Sequence, residues 1–496
     1  MFVGCVALAT SCDLTENVQV KADKSMIFGS KSGLELYSNS FYKALPTLKN
    51  GFMQDKMCDV GAVSNTDTFI KQGAYNTETA TSWSWGALKN INYFIDGCND
   101  PKYCTVDDNT RDNYLGIARW FRAWFYYDKL TTYGEVPWFP HDIQSYQNDV
   151  MYKDRDSRDV IIRNLIADLD FAYEHIQATS STGSSTLTRW AAAALKSRVC
   201  LFEAAYRRYH NLTGLEITPE ELYREAAKAA KLVIDNSGCS LNTATGKKGA
   251  YRDLFYNETP LTQEVILAVC ANEKSGIFGE QNWWFNARSY GLCWSLVRSF
   301  VHTYLKQDGT PFTAAADYAV KSFAEEMEGR DLRLEQTVRG RNFLWDGKTA
   351  VADIKNLSLT GYQVIKYTLD ESKYDGGAKN INSIPLIRYA EVLLNYAEAQ
   401  AELGVLTDSE WALTVGALRK RAGITGGTET LPTTVDSYLQ STFYPDVTSP
   451  VLLEIRRERA IELVAEGMRF DDLRRWKCGS LMETLPWSGI HIPGLE

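Results

Sequence analysis

RDNYLGIARWFRAWFYYDKLTTYGEVPWF, residues 111–139, decides the fold of this chain. Ala118, Phe121, Phe125 and Lys129 fall on one line at helical spacing, and Ile117, Trp120, Trp124 and Tyr127 fall on the line beside it. An apolar surface that wide has to be covered on more than one side. Asp112 is the expected start cap, Gly134 supplies a left-handed end, and Pro137 keeps the helix from resuming. The rest of the chain is therefore expected to supply helices that pack around this one.

Working outward, those helices are visible. Residues 34–45 form an amphipathic helix stopped by Pro46, and Trp85, Leu88, Asn92 and Ile95 share the face of a second. Residues 160–176 repeat the helical period. Thr188 is placed to cap the Ala-rich run RWAAAALKSRVCLFEAAYRRY at 189–209, whose small residues permit close approach of a neighbour. Thr218, Pro219 and Glu221 occupy the cap, first-turn and capping-box positions of a helix ending near Asn236. LIRYAEVLLNYAEAQAEL, residues 386–403, repeats the Ala, Leu and Tyr mixture, with Gly404 ending it. These pairs look like tetratricopeptide-type helical pairs without the fixed 34-residue period.

The pattern changes at 239–368. EVILAVCA at 264–271 and GYQVIKY at 361–367 read as short strands around an aromatic, Gly-containing loop. The expected fold class is all-α, mainly helical: tetratricopeptide-like pairs form a scaffold at 33–236 and 384–477, and a loop-rich mixed insertion at about 239–368 carries short strands. Loops held on a rigid scaffold usually carry function, and the polar segment 50–82 is too long for a mere connection.

A net charge of -9 and a pI near 5.4, with no basic stripe, give no support to nucleic-acid binding. The 13 Trp and 27 Tyr exceed what a core usually requires and point to a gripping surface. The opening MFVGCVALATSC is apolar and small, and resembles the end of a bacterial lipoprotein signal peptide with Cys12 as the acylated residue. No Lys or Arg precedes the apolar run, which departs from that pattern. With Cys5 and Cys12 set aside, Cys98 and Cys104 flank a turn-rich segment where export would permit a disulfide. No zinc-site spacing occurs, so no metal or cofactor is expected.

Two constellations could carry function. In EIRRERAIELVAEGMRFDDLRRW, residues 454–476, Glu454, Glu458, Glu462 and Glu466 recur every four residues among arginines. A glycoside hydrolase would need one such carboxyl protonated and another ionised. Glutamates on successive turns interleaved with Arg read better as an ion-pair network locking the C-terminal helix. No Gly-x-Ser-x-Gly elbow or phosphate-binding Gly loop appears.

The second constellation is FGEQNWWFNARSYGLCW at 278–294. In an extended backbone Trp283 and Trp284 would turn to opposite sides, one inward and one outward. Asn282, Asn286, Arg288 and Tyr290 add hydrogen-bonding groups. Flat rings beside amides and a guanidinium suit a sugar, whose ring face stacks while its hydroxyls need paired donors and acceptors. Trp83, at a loop junction, is free to join them.

Several motifs in order resemble the SusD/RagB family: Ser11-Cys12, RAWFYYDKLTTYGEVP at 122–137, QDGTPF at 307–312 and GRDLRL at 329–334. GYQVIKY at 361–367, IPLIRYAEVLLNYAEAQAELG at 384–404, ALRKRAG at 417–423 and RRERAIELVAEGMRFDDLRRW at 456–476 continue the series. The resemblance implies residues 1–12 as a partial lipoprotein signal and 13–496 as a single SusD-like domain. It implies a lipidated Cys12 in the outer membrane, a surface-exposed protein, and a SusC-like TonB-dependent transporter as partner. The implied function is non-catalytic capture of an oligosaccharide or polysaccharide. The shared motifs are mainly scaffold and do not identify ligand residues; from the residues themselves, Trp83, Trp283, Trp284 and Tyr290 are expected to stack on sugar rings, while Asn282 and Arg288 bond hydroxyls. The alternatives are peptide capture, as in the RagB branch, and a glycoside hydrolase.

Overall fold

The computed structural model describes residues 23–49, 55, 58–63, 83–144, 146–286, 293–350, 356–483 and 487–492. Cys12, Arg288, Tyr290 and most of 50–82 lie outside the described residues. The Asp108–Tyr133 helix runs 26 residues, and Trp120, Phe121, Ala118 and Tyr126 on it are fully buried. Its start is one turn earlier than the sequence implied. Asp107, not Asp112, accepts from the Thr110 amide at 3.0 Å, while Asp112 pairs with Arg111. Gly134 ends it at φ 75°.

The helices stack as a sequence of neighbours. Asp108–Tyr133 packs on Arg158–His175, which packs on Arg189–Tyr209, which packs on Pro219–Asn236. After the insertion, Tyr389–Glu402 lies against Pro219–Asn236 and is itself covered by Pro450–Glu462. The architecture is mainly helical with short strands. Ala191 to Ala194 are all buried, which is what brings the Arg189–Tyr209 backbone close to its neighbours. Thr218 and Glu221 form the capping box read from the sequence. Thr188 occupies the cap position of Arg189–Tyr209, yet its side chain makes no cap hydrogen bond.

Buried Arg–carboxylate forks clamp the stack. Arg122 grips Asp168 through two 2.7 Å bonds, and Arg198 reaches Glu391 from the other half of the chain at 2.6 Å. The late glutamates belong to the same system. Glu462 is fully buried and meets Arg333 at 2.9 Å, Arg388 at 3.0 Å and Arg421. Glu454 and Glu458 share Arg419. The four glutamates do not share one helix: Pro450–Glu462 ends, the chain turns through Ala465 and Gly467 at positive φ, and Glu466 meets Lys366 and Arg388 from that turn. Arg459 pairs with Asp472.

The insertion has its own core. Gly61–Ala62, Ser295–Leu296 and Tyr362–Gln363 form a three-stranded antiparallel sheet, so part of the early polar segment is a buried strand. Val265–Val269 pairs antiparallel with Ile384–Arg388, which takes the first residues of the motif at 384–404 out of the helix that follows. Tyr251, Phe255, Phe285, Trp294, Tyr304 and Tyr367 fill the space between these strands. Cys98 and Cys104 carry free thiols. Among the described residues no helix is long and apolar enough to cross a membrane.

Candidate functional site

Gln281–Asn286 is a short helix, not the extended segment expected from the two adjacent tryptophans. The reason is what surrounds it: Gln281, Asn282 and Phe285 are buried, and a helix turns all three inward where an extended strand would turn Phe285 out with Trp283. Trp283 and Trp284 are both half-buried and stack on each other, centroids 6.0 Å apart and planes 29° apart. Trp284 packs on the insertion core and donates from Nε1 to Glu280 at 3.2 Å. Glu280 in turn pairs with Lys49 at 2.9 Å.

Asn282 has a different place from the one expected of it. It is fully buried; its Oδ1 accepts from the Leu369 amide and from Asn380 Nδ2, both at 2.7 Å, and its Nδ2 donates to the Leu369 carbonyl at 2.7 Å and to Asp375 at 3.1 Å. That uses its amide in bracing the 369–380 loop, so Asn282 positions the site and does not meet a ligand. Asn286, one turn along from Trp283, is half-buried and donates to the same Asp375 oxygen at 3.1 Å. Asp375 is half-buried, and its burial raises the carboxyl above its ordinary value against the pull of Asn286 and Asn282.

Trp83 belongs elsewhere. It is 43% exposed and sits edge-on to Trp85 at 5.1 Å and Tyr133 at 4.8 Å, with the Arg155 guanidinium 5.6 Å from its ring. It caps the far end of the long helix, while Trp284 lies on the insertion core. The structure thus brings together Trp283, Trp284, Asn286 and Asp375. Asp375 was missed because nothing in KYDGGAKN, residues 373–380, marks it apart from a surface turn; the Asn282 bonds that draw it in span some ninety positions of sequence.

A cavity of about 820 Å³ lies apart from these residues, between the Lys31–Ser38 and Gly86–Cys98 helices. Met26, Leu36, Phe41 and Ile91 line it together with Lys43, and Asn90 bonds to both Tyr37 and Ser40 across it. Such a lining has little to offer sugar hydroxyls.

A mainly helical stack that holds up a mixed insertion with an aromatic, hydrogen-bonding surface is a SusD-like architecture. A SusD-like carbohydrate-binding protein from Bacteroides fragilis superposes on 92% of this chain and 88% of its own with a TM-score of 0.71 at 19% identity. A second SusD-like protein from the same species gives 0.70 at 22% identity over 92% and 88% of the two chains. A structure described as holding a xylogluco-oligosaccharide gives 0.58 at 18% identity over 89% and 82%. At these identities the likeness is one of fold. In sequence, residues 263–490 match the SusD family. The SusD-like protein P38 of Formosa agariphila is 25% identical over 378 residues, which span 73% of this chain and 66% of that relative's length. Over these residues the chain is similar to the SusD family, and its fold is that of the SusD-like structures.

Proposed function

We propose that this protein is a cell-surface lipoprotein, anchored at Cys12, that captures oligosaccharides and passes them without catalysis to a SusC-like TonB-dependent transporter in the outer membrane. The observation that carries the binding reading is the stacked Trp283–Trp284 pair beside the half-buried Asn286 and Asp375. Indole faces take the apolar side of a pyranose, and an amide and a carboxyl between them take its hydroxyls. The match of residues 263–490 to the SusD family and the carbohydrate-binding structural neighbour support the same substrate class. Arg288 and Tyr290 stay in the proposed site as neighbours in sequence of Asn286, and Trp83 as an accessory contact at the scaffold end.

The absence of catalysis is supported by the state of the late glutamates. Burial alone pushes the Glu462 carboxyl up, but Arg421, Arg388 and Arg333 outweigh it and hold the group well below the usual carboxylate range. A general acid for glycoside hydrolysis needs the opposite shift. The test is a glycan array on the soluble protein lacking residues 1–12, repeated with Trp283→Ala and Trp284→Ala combined. Retention of every glycan at unchanged affinity by the double variant would remove the site. Binding of peptide pools in place of glycans would move the cargo to the RagB type.

A further inference from the structure

The Trp283–Trp284 pair is one end of a longer arrangement. Further along the insertion, Leu344–Trp345 and Lys348–Thr349 form a hairpin. Its two turn residues, Asp346 and Gly347, both have positive φ, 49° and 74°, as a two-residue turn of this type demands. The hairpin is pinned at its tip: the Asp346 amide donates to the Asp370 carbonyl at 3.0 Å, and the Asp346 carboxylate accepts from the Ser372 amide at 2.9 Å. Phe343 and Trp345 stack with centroids 6.1 Å apart and planes 30° apart. Phe343 is buried, whereas Trp345 is half-buried and stands between the exposed Leu344 and Asp346.

A row of polar side chains joins the two aromatic pairs. The Arg339 guanidinium lies 5.0 Å from the Phe343 ring and 5.9 Å from the Trp345 ring. Its Nη1 donates to Gln363 Oε1 at 3.3 Å, and Gln363 Nε2 donates to Asn286 Oδ1 at 3.2 Å. Asn286 sits one helical turn from Trp283 and donates to Asp375. Gln363 is fully buried and Arg339 nearly so, which makes the row a rigid floor. Two stacking pairs tied together through a fixed floor suit a chain of linked rings better than one sugar.

Resting on the proposed glycan-binding function, the geometry points to Trp345 as a second stacking residue, so that the site takes an oligosaccharide of several rings, with Trp283 and Trp345 on different rings. The floor sets their separation, and Asp375 and Asn286 meet hydroxyls between them. The site then selects for chain length as well as for sugar type.

The experiment is calorimetric titration of the soluble protein with malto-, cello-, laminari- and xylogluco-oligosaccharides in length series from two to seven rings. Wild type, Trp283→Ala, Trp345→Ala and Trp345→Phe are compared, with melting curves on each. For the series that binds, Trp345→Ala is expected to weaken the longer members about tenfold, to leave the shortest bound member unchanged, and to be largely rescued by Trp345→Phe. Equal loss at every length, or no loss at any, overturns the second stacking position. In the latter case a continued loss in Trp283→Ala keeps the glycan-binding function itself. If wild type binds no member of any series, that function falls, and the role of Trp345 with it.

Discussion

Two stacked tryptophan pairs in this chain have the same chemistry and opposite roles. Trp120 and Trp124 stack at 5.4 Å and 14° inside the Asp108–Tyr133 helix, where Trp120 is wholly buried and donates from Nε1 to the Ala191 carbonyl at 3.2 Å. Trp283 and Trp284 stack at 6.0 Å and 29° on a six-residue helix in the insertion, and both keep part of their rings open. Trp120 is enclosed by the neighbouring helices and Trp124 is half-buried, packed against the same core. The second pair remains open because its neighbours, Glu280, Asn286 and Asp375, are themselves at the surface of the insertion. A ring is a core residue or a ligand platform according to what lies on its second face, not according to its own chemistry.

That contrast can be broken or sharpened. The largest effect is expected in the scaffold's charge network: Glu462→Gln leaves Arg333, Arg388 and Arg421 facing one another in the interior and should cost about 5 kcal/mol, read by chemical denaturation. The pH dependence has a definite sign. Because the folded pKa of Glu462 is depressed below 4.5, its stabilisation is complete above that value and is lost as pH falls below it. Wild type should therefore lose stability faster than Glu462→Gln on acidification below about pH 4.5. Parallel melting-temperature profiles for the two proteins would contradict this.

Trp120→Ala should be next, destabilising by about 4 kcal/mol through a buried cavity and the lost indole bond to the Ala191 carbonyl, with glycan affinity unchanged in whatever protein stays folded. Thr218→Ala removes one capping-box bond and should cost about 1 kcal/mol. Trp283→Ala completes the series at the other extreme: under about 1 kcal/mol of stability, yet at least a tenfold loss of oligosaccharide affinity. A Trp283→Ala protein that melts as far below wild type as Trp120→Ala does would erase the difference between the two pairs.

Much of the scaffold is legible in the sequence because its signals are local. The capping box at Thr218, the left-handed glycine at 134 and the apolar lines of the long helix each occupy a few adjacent residues. The early start of that helix was missed because Asp107 and Asp112 are equally good caps, and only the fold chooses between them. The site is legible more coarsely. The aromatic cluster at 278–294 was visible, but its backbone was read as extended because the burial of Gln281, Asn282 and Phe285 depends on residues a hundred positions away. A local signal in the insertion is Asp346-Gly347, a turn dipeptide beside Trp345.

By itself, then, the sequence determined the helical scaffold, its caps and the neighbourhood of the aromatic surface, since periodicity and capping act over a few residues. Only the tertiary structure decided which polar groups are spent inside and which remain outside. Asn282 is consumed by Leu369, Asp375 and Asn380, Glu462 by three arginines, and Trp83 is set at the scaffold end away from the insertion core. Hydrogen-bond and ion-pair partners are assigned in three dimensions, by contacts between residues that no stretch of sequence places side by side.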